Sequence, residues 1–205
     1  MTQLYFPAFE ECPHENDADL DYYELKDGFF LFPKRHWCLV AEIVEIEFFI
    51  RLRLWVKDRT GHEFPVLFYI EDDQCWLDPT RFRKGQTIAI LYAEQHYFFD
   101  TTVGIRQENT STIEVFDMSP KAIISLGEEV HNRENADLRE CHACGINGPS
   151  LLKCAQCNCR RYCNKQCQKR GWQQEGHRKD CRKEGEIVKF LAFKREHSSE
   201  HASFL

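Results

Sequence analysis

The stretch "FFIRLRLWVKD" alternates apolar and polar positions, with Leu52, Leu54 and Val56 on one face and Arg51, Arg53, Trp55 and Lys57 on the other. That two-residue period is the mark of a half-buried strand. "DRTGHEFPVLFYI" then supplies a turn at Thr60-Gly61 and a second strand across Val66 to Ile70. "EDDQCWLDPTRFRKGQ" reads as irregular or briefly helical, "TIAILYA" as a third strand and "TSTIEVF" as a late one. From Trp37 onward these runs are rich in β-branched and aromatic residues, as strands are. Upstream, the acidic "EECPHENDADLDYYELKD" from Glu10 to Asp27 has no such period and reads as a solvated arm.

Short strands joined by turns and at most one short helix imply a small Greek-key barrel or sandwich. A long strand pair, an intervening short helix and then "KGQTIAILYA" resembles an OB-type barrel. A different pattern follows it. Ser119 and Pro120 mark a helix start, an N-cap followed by proline at the first helical position. The polar run from Glu128 to Glu140 reads as a linker, and "EIVKFLAFKRE" near the C-terminus as an amphipathic helix with Ile187, Phe190 and Leu191 as packing residues. The division expected is a β-rich, OB-like domain over 1–117 with an acidic N-terminal arm, a helix and linker over 118–137, a small cysteine-rich module over 138–184, and a C-terminal helix and tail over 185–205.

Composition and charge sharpen that division. Apolar residues make up 42% and aromatics 13% of 205 residues, enough for a packed core. The first twenty residues lack a basic region followed by an apolar one, and no apolar run approaches the ~18 residues of a membrane helix, so an intracellular soluble protein is expected. Eleven cysteines cannot all pair, and structural disulfides are rare in a reducing compartment. Residues 138–196 carry 14 Lys and Arg against 6 Asp and Glu, which leaves −14 on the remainder of a chain whose net charge is −6. A basic segment fits nucleic acid, and it equally fits cations that offset metal-bound thiolates. The stripe Arg51, Arg53, Trp55, Lys57 raises the same pair of readings, a nucleic-acid track or an ordinary solvated strand face.

The cysteine spacing is more specific: Cys141-x2-Cys144-x9-Cys154-x2-Cys157-x5-Cys163-x3-Cys167-x9-His177-x3-Cys181. These are eight donors in four pairs, and each pair can reach one tetrahedral ion, x2 across a tight turn and x3 along one turn of helix. Four pairs make two four-coordinate sites, and zinc suits closed sets of thiolate and imidazole. Spacing alone leaves open which pairs combine. Between 141 and 181 the sizeable apolar side chains are only Ile146, Leu151, Leu152, Tyr162 and Trp172. The metal is therefore expected to supply much of the folding energy of this module.

The order of six cysteines, one histidine and one cysteine, with Tyr162 before Cys163, Gln168 after Cys167, and Trp172, resembles the MYND-type zinc finger. The resemblance covers about a fifth of the chain. It departs in "QQEG" between Trp172 and His177, longer than in many members, and in "AQ" (Ala155, Gln156) between the third and fourth ligands. It implies two structural Zn2+ ions in interleaved sites, Cys141, Cys144, Cys163 and Cys167 holding one, and Cys154, Cys157, His177 and Cys181 the other. Cys159 is left as a spare thiol beside Arg160 and Arg161. It also implies a protein-interaction module that captures proline-rich segments over Gln168 and Trp172, with a core role for Trp172 as the competing reading. Locally, Asn164 is expected to cap a short helix carrying Cys167, with Gly171 interrupting or ending it. Gly176 should precede a second helix carrying His177 and Cys181, and Gly185 should end that one.

An enzyme is not expected. No SET-like segment of the kind that accompanies a MYND finger in some lysine methyltransferases occurs, and Cys12, Cys38 and Cys75, with His14, His36, His62 and His96, form no recognisable nucleophilic pair. Two functions remain, an adaptor whose finger captures a peptide and a nucleic-acid or chromatin-associated binder using the β domain and the basic finger. Salt dependence separates them.

Overall fold

The computed structural model describes residues 6–17, 19–26, 30–70, 78–125, 140–148 and 150–196. Two compact units emerge, the first comprising residues 1–120 together with 194–205 and the second spanning 121–193.

In the first unit, strands β1 (Tyr23–Lys26) and β2 (Phe30–Pro33) form a hairpin. The main sheet comprises β3 (Cys38–Phe48), β4 (Leu52–Lys57), β5 (Glu63–Phe68), β6 (Thr87–Leu91), β7 (Gln95–Tyr97), β8 (Val103–Gln107) and β9 (Ile113–Phe116). Its order is β7-β8-β5-β4-β3-β6-β9. The long β3 pairs with β6 through Cys38–Glu42 and with β4 through Glu42–Phe48, and a register shift between Ile43 and Glu45 bends it from one partner to the other. β6 and β7 are successive segments separated by residues 92–94, where Tyr92, with a φ of 55°, kinks the chain. One continuous stretch thus supplies strands on both sides of the sheet, β6 against β3 and β7 against β8, while β5 and β8 run parallel. This connectivity is that of an OB-type Greek-key barrel with β9 added beside β6.

The alternation read in β4 holds: Leu52, Leu54 and Val56 are buried and Arg53, Trp55 and Lys57 half-buried. They join Leu39, Ile43, Phe64, Val66, Ile88, Ile90 and Ile105 in one core.

Two expectations are corrected. The acidic arm keeps Glu10, Glu11, Glu15, Asp17 and Asp21 exposed but is not a free segment. Phe9 stacks on Phe64 with ring centroids 3.9 Å apart, its N–H donates to Asp58 Oδ2 at 2.8 Å, and Gln95 N–H donates to the Pro13 carbonyl at 2.8 Å. Farther along, Tyr22 and Tyr23 pack edge-on against the fully buried Trp37. Aromatic burial thus anchors the arm at both ends while the intervening carboxylates stay in solvent. The second strand also begins earlier than Val66 and runs through Pro65, which lies opposite Trp55, while pairing with β8 starts only at Val66. The absent proline N–H is therefore not missed there. The irregular stretch is described only from Asp78, with a 3-10 turn at Pro79–Arg81 capped by the Asp78 carboxylate.

In the second unit, residues 121–125 are helical with Ile123 fully buried. Most of the expected linker lies outside the described residues. Strands β10 (Leu152–Lys153) and β11 (Arg161–Tyr162) form a short hairpin, followed by helices α1 (Lys165–Gln173) and α2 (His177–Glu196). Gly171 lies inside α1 and Gly185 inside α2, so neither ends a helix. The boundary expected at 184/185 is absent, because α2 continues unbroken. Phe190 and Leu191 have side chains outside the described set, whereas Ile187 is fully buried. No helix among the described residues is long and apolar enough to cross a membrane.

Candidate metal centres

Each cysteine pair owes its shape to a local device. After Cys144, Gly145 adopts φ +73° and its N–H donates to the Cys141 carbonyl at 2.8 Å. After Cys157, Asn158 adopts φ 54° and its N–H donates to the Cys154 carbonyl, also at 2.8 Å. Both Cys-x2-Cys turns therefore close the same way, on a left-handed residue of a type that tolerates it. Cys163 and Cys167 are brought onto one turn by the α1 cap, where Asn164 Oδ1 accepts from Cys167 N–H at 2.9 Å. Gly176, at φ +76°, turns the chain into α2, whose first residue is His177 and which places Cys181 one turn on.

The eight donors converge as two groups, Cys141, Cys144, Cys163 and Cys167, and Cys154, Cys157, His177 and Cys181, the donors of each lying within 4.8 Å of one another. This is the interleaved pairing, which spacing could not choose. Cys159 belongs to neither group. A tetrahedron with Zn–S near 2.3 Å has S–S edges of ~3.8 Å and, with Zn–N near 2.0 Å, S–N edges of ~3.5 Å. Here Cys144 and Cys163 sulfurs are 3.5 Å apart, Cys154 and Cys181 sulfurs 3.9 Å, and Cys157 Sγ lies 3.4 Å from His177 Nε2. Donor type and spacing fit zinc at both centres.

The electrostatics agree. At Cys141, burial works against ionisation, yet the N–H groups of Ala143, Cys163 and Cys144 hold the thiol down to about 6. Hydrogen bonding to Cys141 and Cys144 pushes its neighbour Cys163 up to about 12. Burial, reinforced by the Cys157 charge, pushes Cys181 up to about 12. In the first group one thiol is thus held down while its neighbour is pushed up, a conflict that a dication removes. Burial first, and then the Arg160 charge, lower the basicity of His177 and keep its imidazole neutral, as a ligand must be.

Around the second group stands a shell that the spacing pattern did not reveal. Glu184, 6% exposed, accepts from Arg160 Nε at 2.8 Å and places its other oxygen 3.6 Å from His177 Nε2 and 3.8 Å from Cys157 Sγ. The signal existed, since His177, Cys181 and Glu184 follow the i, i+4, i+7 spacing of one helix face. Gln168 and Trp172 both lie on α1, one turn apart and half-buried. The Trp172 ring meets His177 edge-on at 5.4 Å.

The isolated thiols and histidines have the following surroundings. Cys12 and Cys38 are buried, and burial pushes the Cys12 thiol up. His14 stacks on Tyr97, His36 bonds Tyr92, His62 stacks on Phe9, and His96 pairs with Glu15 at 2.5 Å. Cys75 lies outside the described residues.

Residues 141–181 match the family model of the MYND finger. That segment is similar to a MYND finger, and its two donor groups fit two structural zinc sites. No curated protein matches the chain. Among solved structures it is similar to Schizosaccharomyces pombe Pot1pC bound to ssDNA, with TM-score 0.31 and 10% identity over 42% of this chain and 81% of that one. It is also similar to the S. pombe Stn1-Ten1 complex, with TM-score 0.36 and 18% identity over 64% and 93%. The third is a replication protein A heterotrimer bound to ssDNA, with TM-score 0.31 and 13% identity over 55% and 87%.

Proposed function

We propose that this protein is a non-catalytic intracellular adaptor whose zinc finger captures an extended, proline-rich segment of a partner protein. The observation carrying this reading is the pairing of Gln168 and Trp172 on one face of α1. An indole offers a flat apolar platform for proline rings, and an amide one turn away offers hydrogen bonds to the peptide backbone of an extended ligand. The helix that presents them is held at its N-terminus by the Asn164 cap and by Cys163 and Cys167 of the first centre. The platform is thereby rigid before a ligand arrives, which lowers the entropy cost of binding. Because Trp172 is half-buried and its ring also meets that of His177, packing by the second centre and contact with a peptide are compatible roles.

Proline-rich peptides titrated against the full chain test this. Binding should weaken about tenfold in Gln168→Ala, the worth of roughly one hydrogen bond. It should be lost in Trp172→Ala with two zinc ions per chain retained. Binding unaffected by either change would sink the reading, and loss of zinc from Trp172→Ala would assign that side chain to covering the metal alone.

A second reading, single-stranded nucleic acid on the β unit, has one observation in its favour. Arg51 and Arg106 sit over the Tyr69 ring at 3.7 and 4.5 Å, with Phe49 and Phe99 exposed on the same unit. Against it, the cations of that face are matched by carboxylates. Arg53 reaches Glu47 and Asp100 at 3.6 and 3.8 Å, Arg106 reaches Glu108 at 2.6 Å, and Lys57 lies in register between Glu42 and Glu63. Phosphate binding would fall steeply with added salt, and docking of an apolar peptide would respond weakly.

A further inference from the structure

Tyr162 is fully buried, although it carries a hydroxyl that burial alone would disfavour. It directly precedes Cys163 of the first centre, and its hydroxyl lies 2.6 Å from Nδ1 of His177 in the second. His177 Nε2 is the nitrogen turned towards Cys157 Sγ, at 3.4 Å, so Nε2 is the metal donor. A neutral imidazole that ligates through Nε2 carries its proton on Nδ1. His177 Nδ1–H therefore donates to the Tyr162 hydroxyl oxygen, which fixes both the tautomer and the ring orientation.

The tyrosine ring is itself held from the other side. A Cβ at Gly171 would stand 2.5 Å from Tyr162 Cε1, 2.9 Å from its hydroxyl oxygen and 3.0 Å from Cζ, so α1 lies against the ring with no room for a side chain. That helix carries Cys167, and its cap follows Cys163. One rigid aromatic side chain is thus wedged between the helix organised by the first centre and the imidazole of the second.

We propose that Tyr162 is a positioning residue which couples the two zinc centres, so that filling the four-cysteine site strengthens metal binding at the site containing His177. This rests on the assignment of both centres to zinc. The coupling is reciprocal, as any equilibrium coupling must be. Hydrogen-bond partners behind ligating histidines typically contribute 10- to 100-fold to metal affinity, and the lower end of that range is expected for one neutral hydroxyl.

The test is metal titration of the full chain against a chromophoric chelator, with cobalt(II) as a second probe because a four-sulfur site and a three-sulfur, one-nitrogen site absorb differently. Tyr162→Phe removes the hydroxyl and keeps the ring. It should leave two ions bound at saturation and the circular dichroism unchanged, while affinity at the nitrogen-containing site falls about tenfold. In a Cys144→Ser background, where the first centre is impaired, the same change should cost clearly less than tenfold, which is the signature of coupling in a double-mutant cycle. Gly171→Ala should weaken the nitrogen-containing site as well, although alanine favours helix. Unchanged affinity in Tyr162→Phe would overturn the positioning role, and an equal loss with and without Cys144→Ser would overturn the coupling. A wild-type chain that fails to bind two ions would instead refute the zinc assignment itself.

Discussion

The interior of the barrel and the interior of the finger are built from different materials. The barrel buries Leu39, Ile43, Leu54, Phe64, Ile88, Ile90 and Ile105, each at most 1% exposed, in one apolar cluster. The buried cluster of the finger consists of Cys141, Cys154, Cys157, Cys181, Ala143 and Tyr162. A core of aliphatic side chains distributes its free energy over many contacts, so it loses stability in increments as groups are removed. A core of thiols that resist joint ionisation concentrates its free energy in two ions, so it should fail all at once.

Metal removal is the largest test of that contrast. Strong chelation should unfold residues 141–181, seen as lost amide protection and rapid proteolysis there, while the β strands of the first unit stay protected. Each structural zinc is worth roughly 10–16 kcal/mol in small finger peptides, more than a fold of this size holds in reserve. Protection in the finger that survived chelation would break the comparison.

The reciprocal test is Leu54→Ala. Leu54 is fully buried at the middle of β4, and truncation should cost ~2–5 kcal/mol, read as a lower urea midpoint for the β unit. The zinc affinity of the finger should not move. If it fell in parallel, the two interiors would be energetically one.

Gly104 tests backbone proximity in the barrel. A Cβ there would stand 2.8 Å from Pro65 Cγ and closer still to the Pro65 carbonyl oxygen, which is backbone and cannot yield easily. Gly104→Ala should cost ~1–3 kcal/mol by overpacking, again in the urea midpoint of the β unit. A neutral effect would mean that the β5–β8 contact relaxes freely.

The two interiors also differed in how plainly they could be read. All eight donors of the finger were legible, because metal-ligand chemistry demands particular residue types at particular spacings. Which pairs combine was not legible from spacing, since either pairing satisfies tetrahedral geometry and only the hairpin and the two helices decide. In the barrel, β4 and β6 were legible from alternation and β-branched runs. The hairpin β1–β2 was hidden because "YELK" is half polar and lies in an acidic stretch. β7 and β8 were hidden because "QHY" is too short to show a period and "VGIRQ" is interrupted by Gly104, which the structure shows to be a close approach to Pro65. The burial of Phe9 against Phe64 was invisible, for nothing local to "PAFEEC" announces a partner so far along the chain.

The smallest test turns on the two glycines that the sequence offered as helix ends. Both lie within helices, and they occupy unlike surroundings. At Gly171 a Cβ would penetrate the buried Tyr162 ring, whereas at Gly185 it would meet Cys157 Cα at 3.6 Å and Cβ at 3.8 Å, an ordinary contact distance. Alanine is favoured over glycine inside a helix by ~1 kcal/mol. At Gly185 that preference should emerge nearly intact, so Gly185→Ala should stabilise the zinc-loaded finger by ~0.5–1 kcal/mol. At Gly171 the collision with Tyr162 should reverse the sign. Thermal unfolding of the zinc-loaded variants reads both, and a shift of the same sign in the two would mean that helix propensity, rather than the fit of each position against its neighbours, governs even this metal-built interior.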